Sequence, residues 1–214
     1  MRFEDGLDAF QQGDYRRAVE IWLALAEQGE QRAQYNMAIL YDEGRVIEKD
    51  DAQAVYWYRQ AAERGYPPAQ YNLGLMYELG QGLAEDATEA FTWFALAARA
   101  GLPAAQYALA RKYRKGEGVA QDHEQAVQWY RAAAEAGEAD AANALGVCYA
   151  MGEGVERSDE EAYVWFDIGA ELGAAKAGAH RQRVARELTP MQITRAGETA
   201  KRWLQRHREP GSTH

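Results

Sequence analysis

The chain has 214 residues, 47% of them hydrophobic and 27% charged, with a formal net charge of −9. That length accommodates a sizeable buried core without disulfides or metals, and the composition is too apolar for a disordered chain. One cysteine, Cys148, excludes an intramolecular disulfide framework, and no apolar run approaches the roughly 20 residues that span a bilayer.

Proline is scarce and glycine recurs at regular places between apolar segments, which is helix punctuation and favours an all-α chain. Met1 is followed by a polar helical pattern with no signal-peptide core, so a cytoplasmic location is expected, or a periplasmic one if a leader has been removed. Residues 1–32 read as a helical hairpin with a short turn at Gly13 and Asp14, its second helix carrying Ala18, Trp22 and Ala26 at a step of four.

Beyond that hairpin the chain repeats itself. Trp57, Trp93, Trp129 and Trp165 stand 36 residues apart, and the same step carries Gly29 to Gly65, Gly101, Gly137 and Gly173. It also links Gly44, Gly80, Gly116 and Gly152. Such a period marks stacked supersecondary units, here residues 33–68, 69–104, 105–140 and 141–173.

In one unit, Ala69, Leu73 and Tyr77 share a face of the first helix, and Gly74 beside them lets another backbone approach. Gly80 ends that helix, and Asp86 with Glu89 forms the D-x-x-E pattern of a capping box that starts the next. Asp50 with Gln53, Asp122 with Gln125, and Ser158 with Glu161 repeat this pattern. Ala90, Trp93, Phe94, Ala97 and Ala98 then mark the apolar stripe of a second helix, closed by Gly101 and Pro103. Each hairpin has more apolar surface than it can bury alone, and stacking resolves the excess. About twelve helices and no sheet are expected. Residues 174–214 form a terminal cap, in which Thr189, Pro190 and Gln192 start a last helix running to about Arg206.

The runs AQYNLGLMYELGQGLAED and EQAVQWYRAAAEAG resemble the Sel-one-like repeat family, a relative of the tetratricopeptide repeat. The first unit departs from the pattern at Ala38 and Val46, where glycines are expected, and residues 1–32 resemble a tetratricopeptide hairpin more closely. The resemblance implies a right-handed superhelical solenoid of stacked hairpins, first helices lining the concave face, and a protein–protein interaction scaffold or adaptor. Cysteine-rich members of the family are linked to β-lactam binding or hydrolysis. Their paired cysteines are absent here, and that cell-wall role stands as the alternative function.

Catalytic chemistry finds few residues. His123, His180, His207 and His214 are scattered without metal-ligand spacing, and serine occurs only at Ser158 and Ser212. The Gly-x-Gly pairs lack the strand before and the Lys-Ser or Lys-Thr after that a phosphate loop needs. No enzyme activity, metal or cofactor is expected, and Cys148 falls in a periodic apolar pattern that reads as core.

Residues 176–214 hold nine Lys or Arg against three Asp or Glu, so the preceding body is strongly acidic and should repel nucleic acid. The expected partner is a protein or peptide, not nucleic acid, and no membrane span is expected; the basic last helix has a solvated face or docks on an acidic surface or membrane. If first helices line a groove, the candidate binding residues are Tyr35, Asn36, Tyr71, Asn72, Glu78, Tyr107, Arg111, Arg114 and Lys115. For the tyrosines and asparagines, packing against neighbouring repeats is the competing reading. Arg111, Lys112, Arg114 and Lys115 concentrate positive charge in the third full unit, whereas Asp42, Glu43 and Glu78 occupy matching places earlier. Two readings follow: a bipolar groove for an extended peptide, or a basic patch neutralised by the protein's own acids.

Overall fold

The structure, a computed structural model, describes residues 1–208, so Ser212 and His214 lie outside the described residues. The chain divides into two compact units at Leu102 and Pro103. The first holds α1 (Phe3–Gln11), α2 (Tyr15–Glu27), α3 (Gln31–Glu43), α4 (Asp51–Glu63), α5 (Pro67–Leu79) and α6 (Ala87–Arg99). The second holds α7 (Pro103–Lys115), α8 (His123–Glu135), α9 (Ala139–Met151), α10 (Asp159–Leu172), α11 (Ala177–Val184), one 3-10 turn (Ala185–Glu187) and α12 (Pro190–Arg208). Among the described residues there are twelve α-helices and no strand, the expected class. Pro103 opens α7 and does not simply close the helix before it, which suits a residue without a backbone donor in the first turn.

Each first helix ends where glycine supplies a left-handed backbone: Gly44, Gly80 and Gly152 cap α3, α5 and α9 at φ of 65, 65 and 72°. The second loop glycine also meets a close approach. A Cβ on Gly82 would stand 2.3 Å from the Asp51 carbonyl oxygen at the start of α4. The expected capping residues are in place: Asp50, Asp86, Asp122 and Ser158 each accept from the backbone N–H three residues on.

The reciprocal half of those capping boxes does not form. The backbone N–H groups of Asp50, Asp86, Asp122 and Ser158 instead donate to the carbonyls of Tyr41, Tyr77, Tyr113 and Tyr149 near the end of the preceding helix, at 2.9–3.0 Å. With that donor taken, Glu89 accepts from the Trp93 indole at 3.1 Å. A full box with the expected residues forms at the start of α12, where Thr189 and Gln192 exchange bonds.

The alanine pairs are core. Ala61 and Ala62, Ala97 and Ala98, and Ala133 and Ala134 are each at most 1% exposed, which lets successive helices approach closely. Buried Gln34 and Gln70, at the start of α3 and α5, donate to the Ala26 and Ala62 carbonyls at the end of α2 and α4, at 3.0 and 3.1 Å. These carbonyls also accept the N–H of Gly29 and Gly65 at 3.0 and 2.9 Å, and the glutamine bond adds a tie from one hairpin to the next. Gly74 accommodates not another backbone, as expected from sequence, but the ring of Phe94 in its own hairpin. In the second unit α12 lies on α10: Ala196, Ala200 and Leu204 are buried at a step of four, and Trp203 meets Trp165 edge to face at 5.7 Å.

Candidate functional site

One face of α7 presents Tyr107, Arg111, Arg114 and Lys115, a spacing that keeps all four together while Ala105, Leu109 and Lys112 turn inward. These four line a pocket of about 160 Å³ that is completed by Tyr130 of α8 and by Asn143, Ala144 and Val147 of α9. Tyr107 is half-buried with its ring 5.8 Å from that of Tyr130, and burial pushes its phenol pKa up.

The basic residues divide. Arg114 donates to Glu153 at 2.8 Å, and this bond holds its guanidinium above the usual range. Lys115 pairs with Glu117 at 3.1 Å. Lys112, counted in the positive cluster from sequence, is buried and pairs with the same Glu117, also at 3.1 Å. Burial pushes Glu117 up, but the two lysines outweigh it and the net shift is down. Arg111 has no such carboxylate, so among the described residues it is the cation of this cluster left without an ion pair.

On the other flank of α9 lies a second pocket, of about 420 Å³, floored by Val147, Phe166 and Val184 and rimmed by His180 and Arg183 of α11. Val147 lines both. His180 Nδ1 lies 2.8 Å from Asn143 Oδ1, and its ring sits 5.1 Å from Phe166, so α11 is fastened to α9 and α10 between the pockets. Sequence reasoning missed this half of the site. Val147, Ala150, Met151 and Phe166 belong to the last repeat, but His180, Arg183, Val184 and Glu187, which complete the pocket, lie beyond it, where the repeat pattern decays.

In the first unit the expected groove residues are drawn into packing. Tyr35 stacks obliquely on Tyr58 at 5.9 Å and edge-on to Tyr66 at 5.3 Å, and Tyr71 lies 5.7 Å from Phe94. Burial raises the phenols of Tyr35 and Tyr58, with the nearby Asn72 amide acting weakly in the other direction. Asn36 and Glu78 are half-buried. Asp42 accepts from the Tyr58 hydroxyl at 3.3 Å, and Glu43 pairs with Arg45 at 3.5 Å.

The family model of the Sel1 repeat matches residues 1–30, 31–66, 67–102, 103–138 and 139–173. The chain belongs to the Sel1 repeat family. Four of those boundaries coincide with the starts of α3, α5, α7 and α9, and the match counts residues 1–30 as a further Sel1 repeat. Among curated proteins no sequence matches the chain. Among solved structures, a Sel1 repeat protein from Oxalobacter formigenes is 28% identical, with a TM-score of 0.81 over 99% of this chain and 86% of that one. The c5321 protective antigen of uropathogenic Escherichia coli, which displays an SLR fold, is also 28% identical, at a TM-score of 0.60 over 94% of this chain and 52% of its own. The immunity protein Pa5087 of Pseudomonas aeruginosa is 25% identical, at a TM-score of 0.52 over 89% and 74%. The Sel1 repeat solenoid is therefore the fold. Among the described residues no helix is long and apolar enough to cross a membrane.

Proposed function

We propose that this Sel1 repeat protein is a non-enzymatic scaffold that binds a partner polypeptide on the face formed by α7, α9 and α11. One observation carries the reading: Tyr107, Arg111, Arg114 and Lys115 converge on a pocket that includes Tyr130 and Asn143, with Arg111 unpaired. Tyrosine offers contact area at low entropic cost, and a guanidinium free of internal partners is available for a carboxylate or a backbone carbonyl. A cytoplasmic location and an adaptor role belong to the same proposal. The similar solved structures include a protective antigen and an immunity protein, so fold alone selects no pathway. The β-lactam role of cysteine-rich relatives gains nothing from a chain whose cysteine is free and buried.

The test begins with affinity capture and mass spectrometry to identify the partner, followed by titration of variants. Arg111→Glu should weaken binding by about tenfold or more, as charge reversal at a partner contact does. Arg131→Glu on α8, where the side chain is exposed and meets Tyr149, should leave affinity unchanged. Equal affinities for the two variants, with helicity preserved, would remove this face from consideration.

A further inference from the structure

The two pockets beside α9 differ in character, and together they describe an occupant. The smaller is basic and contains Arg111 without a carboxylate partner; the larger has an apolar floor of Val147, Phe166 and Val184. Arg183, on the rim of the larger pocket, is exposed and likewise forms no ion pair among the described residues. Of the five Lys or Arg in the two linings, Arg114, Lys115 and Arg157 pair with Glu153, Glu117 and Asp159, which leaves Arg111 and Arg183 against Glu187 in a protein whose net charge is −9. Two arginines without ion pairs on one face of an acidic protein favour an acidic ligand and disfavour a basic one.

Spacing follows from α9 itself. Asn143 and Ala144 line the basic pocket, whereas Ala150 and Met151 line the apolar one. Seven residues of helix rise ~10 Å, which an extended chain covers in about three residues. The apolar pocket, at about 420 Å³, has room for a large side chain. Met151, 63% exposed at its mouth, is a flexible apolar side chain that can adapt to such an occupant.

We infer that the groove flanking α9 takes an extended polypeptide segment with an acidic side chain at the Arg111 pocket and a bulky apolar side chain, about three residues away, in the pocket of Val147, Phe166 and Val184. This rests on the proposed polypeptide-binding role and adds the chemistry of the partner. Arg111 and Arg183 bracket the segment, Arg111 pairing its carboxylate and Arg183 facing the chain beyond the apolar anchor. The Asn143–His180 contact forms the ridge over which the backbone passes.

The experiment is selection of a random twelve-residue phage-displayed library on the immobilised full chain, then fluorescence anisotropy with labelled synthetic peptides from the enriched clones. The expected result is a shared Asp or Glu about three positions from Phe, Leu, Ile, Met or Trp. Changing that acid to Asn should weaken binding to the native protein about tenfold, yet change binding to Arg111→Ala by less than about twofold, because the cycle isolates the pair. Replacing the bulky residue by Ala should cost about tenfold or more on either protein, as loss of a buried anchor does. Arg183→Glu should weaken binding and Arg131→Glu should not, with circular dichroism and the melting midpoint checking that every variant is folded.

Enriched peptides that lose affinity on Arg111→Glu but share no acid would overturn this inference and leave the polypeptide-binding reading standing. No enrichment, or equal affinity for Arg111→Glu and Arg131→Glu, would overturn both. A labelled dT12 oligonucleotide that binds the native chain, fails on Arg111→Glu and displaces the peptides would assign the groove to nucleic acid and overturn the inference.

Discussion

A Cβ added to Gly74 would lie 2.7 Å from the Phe94 ring, and one added to Gly146 would lie 2.6 Å from the Phe166 ring. At the matching positions of the other two repeats Ala38 and Ala110 take the place of glycine, and Tyr58 and Tyr130 take the place of phenylalanine. The two residue types therefore change together, glycine with Phe and alanine with Tyr, which marks one packing contact solved in two ways. Both Gly74 and Phe94 are buried, so relief requires moving a packed ring. Gly74→Val should destabilise the protein by about 1–3 kcal/mol through overpacking, read as a lowered urea midpoint; a change below about 0.5 kcal/mol would show that the ring moves freely. Cys148 yields a second residue-scale prediction. It is 1% exposed, and burial pushes its thiol up to about 11. At pH 8 the native protein should therefore react with a thiol reagent only as fast as it unfolds, and prompt labelling without denaturant would show that α9 opens locally.

At the scale of the element, the helix ends were legible because the 36-residue recurrence prints each signal several times. Gly80 and Asp86 were placed correctly as stop and start because their backbone demands are local. The far partners were not legible. An Asp-x-x-Glu pattern predicts a reciprocal box, but the Asp86 N–H is taken by the Tyr77 carbonyl, an acceptor delivered by the previous helix that no four-residue window contains. Arg114 and Glu153 meet across 39 residues for the same reason, so the charge cluster on α7 looked freer than it is. The apolar pocket beside α11 was invisible because His180 and Arg183 lie past the last matched repeat. Gln70 shows the energetic side of such non-local bonds. Its buried amide donates to the Ala62 carbonyl, which also accepts from the Gly65 N–H at 2.9 Å, so Gln70→Met, which keeps the volume, should remove one of two bonds there and cost about 0.5–1.5 kcal/mol in chemical unfolding. An unchanged midpoint would mean that the Gly65 N–H alone satisfies that carbonyl.

For the whole molecule, the division at Leu102 and Pro103 bears on function, because every residue lining the two pockets beside α9 lies in the second unit. That unit has its own core, from Ala110 and Ala126 through Leu145 to Ile168, and its last hairpin is covered by α12 through Ala196, Ala200 and Leu204. Arg195 of α12 also pairs with Glu160 at the start of α10, which closes the end of the stack. Repeat stacks gain stability from each unit and its nearest neighbours, so a stretch that keeps several repeats and its terminal cap retains most of its stabilising contacts. Residues 103–214 expressed alone should therefore give a helical circular dichroism spectrum and a cooperative melt. Their affinity for a groove-binding peptide should lie within about threefold of the full chain, since substitutions remote from a site leave its energetics nearly additive. A fragment that melts without cooperativity would show that residues 1–102 are needed to hold α7 in place. A fragment that folds but no longer binds would show that the determinants are not confined to α7, α9 and α11, and would direct the search to Tyr35, Tyr71 and Glu78.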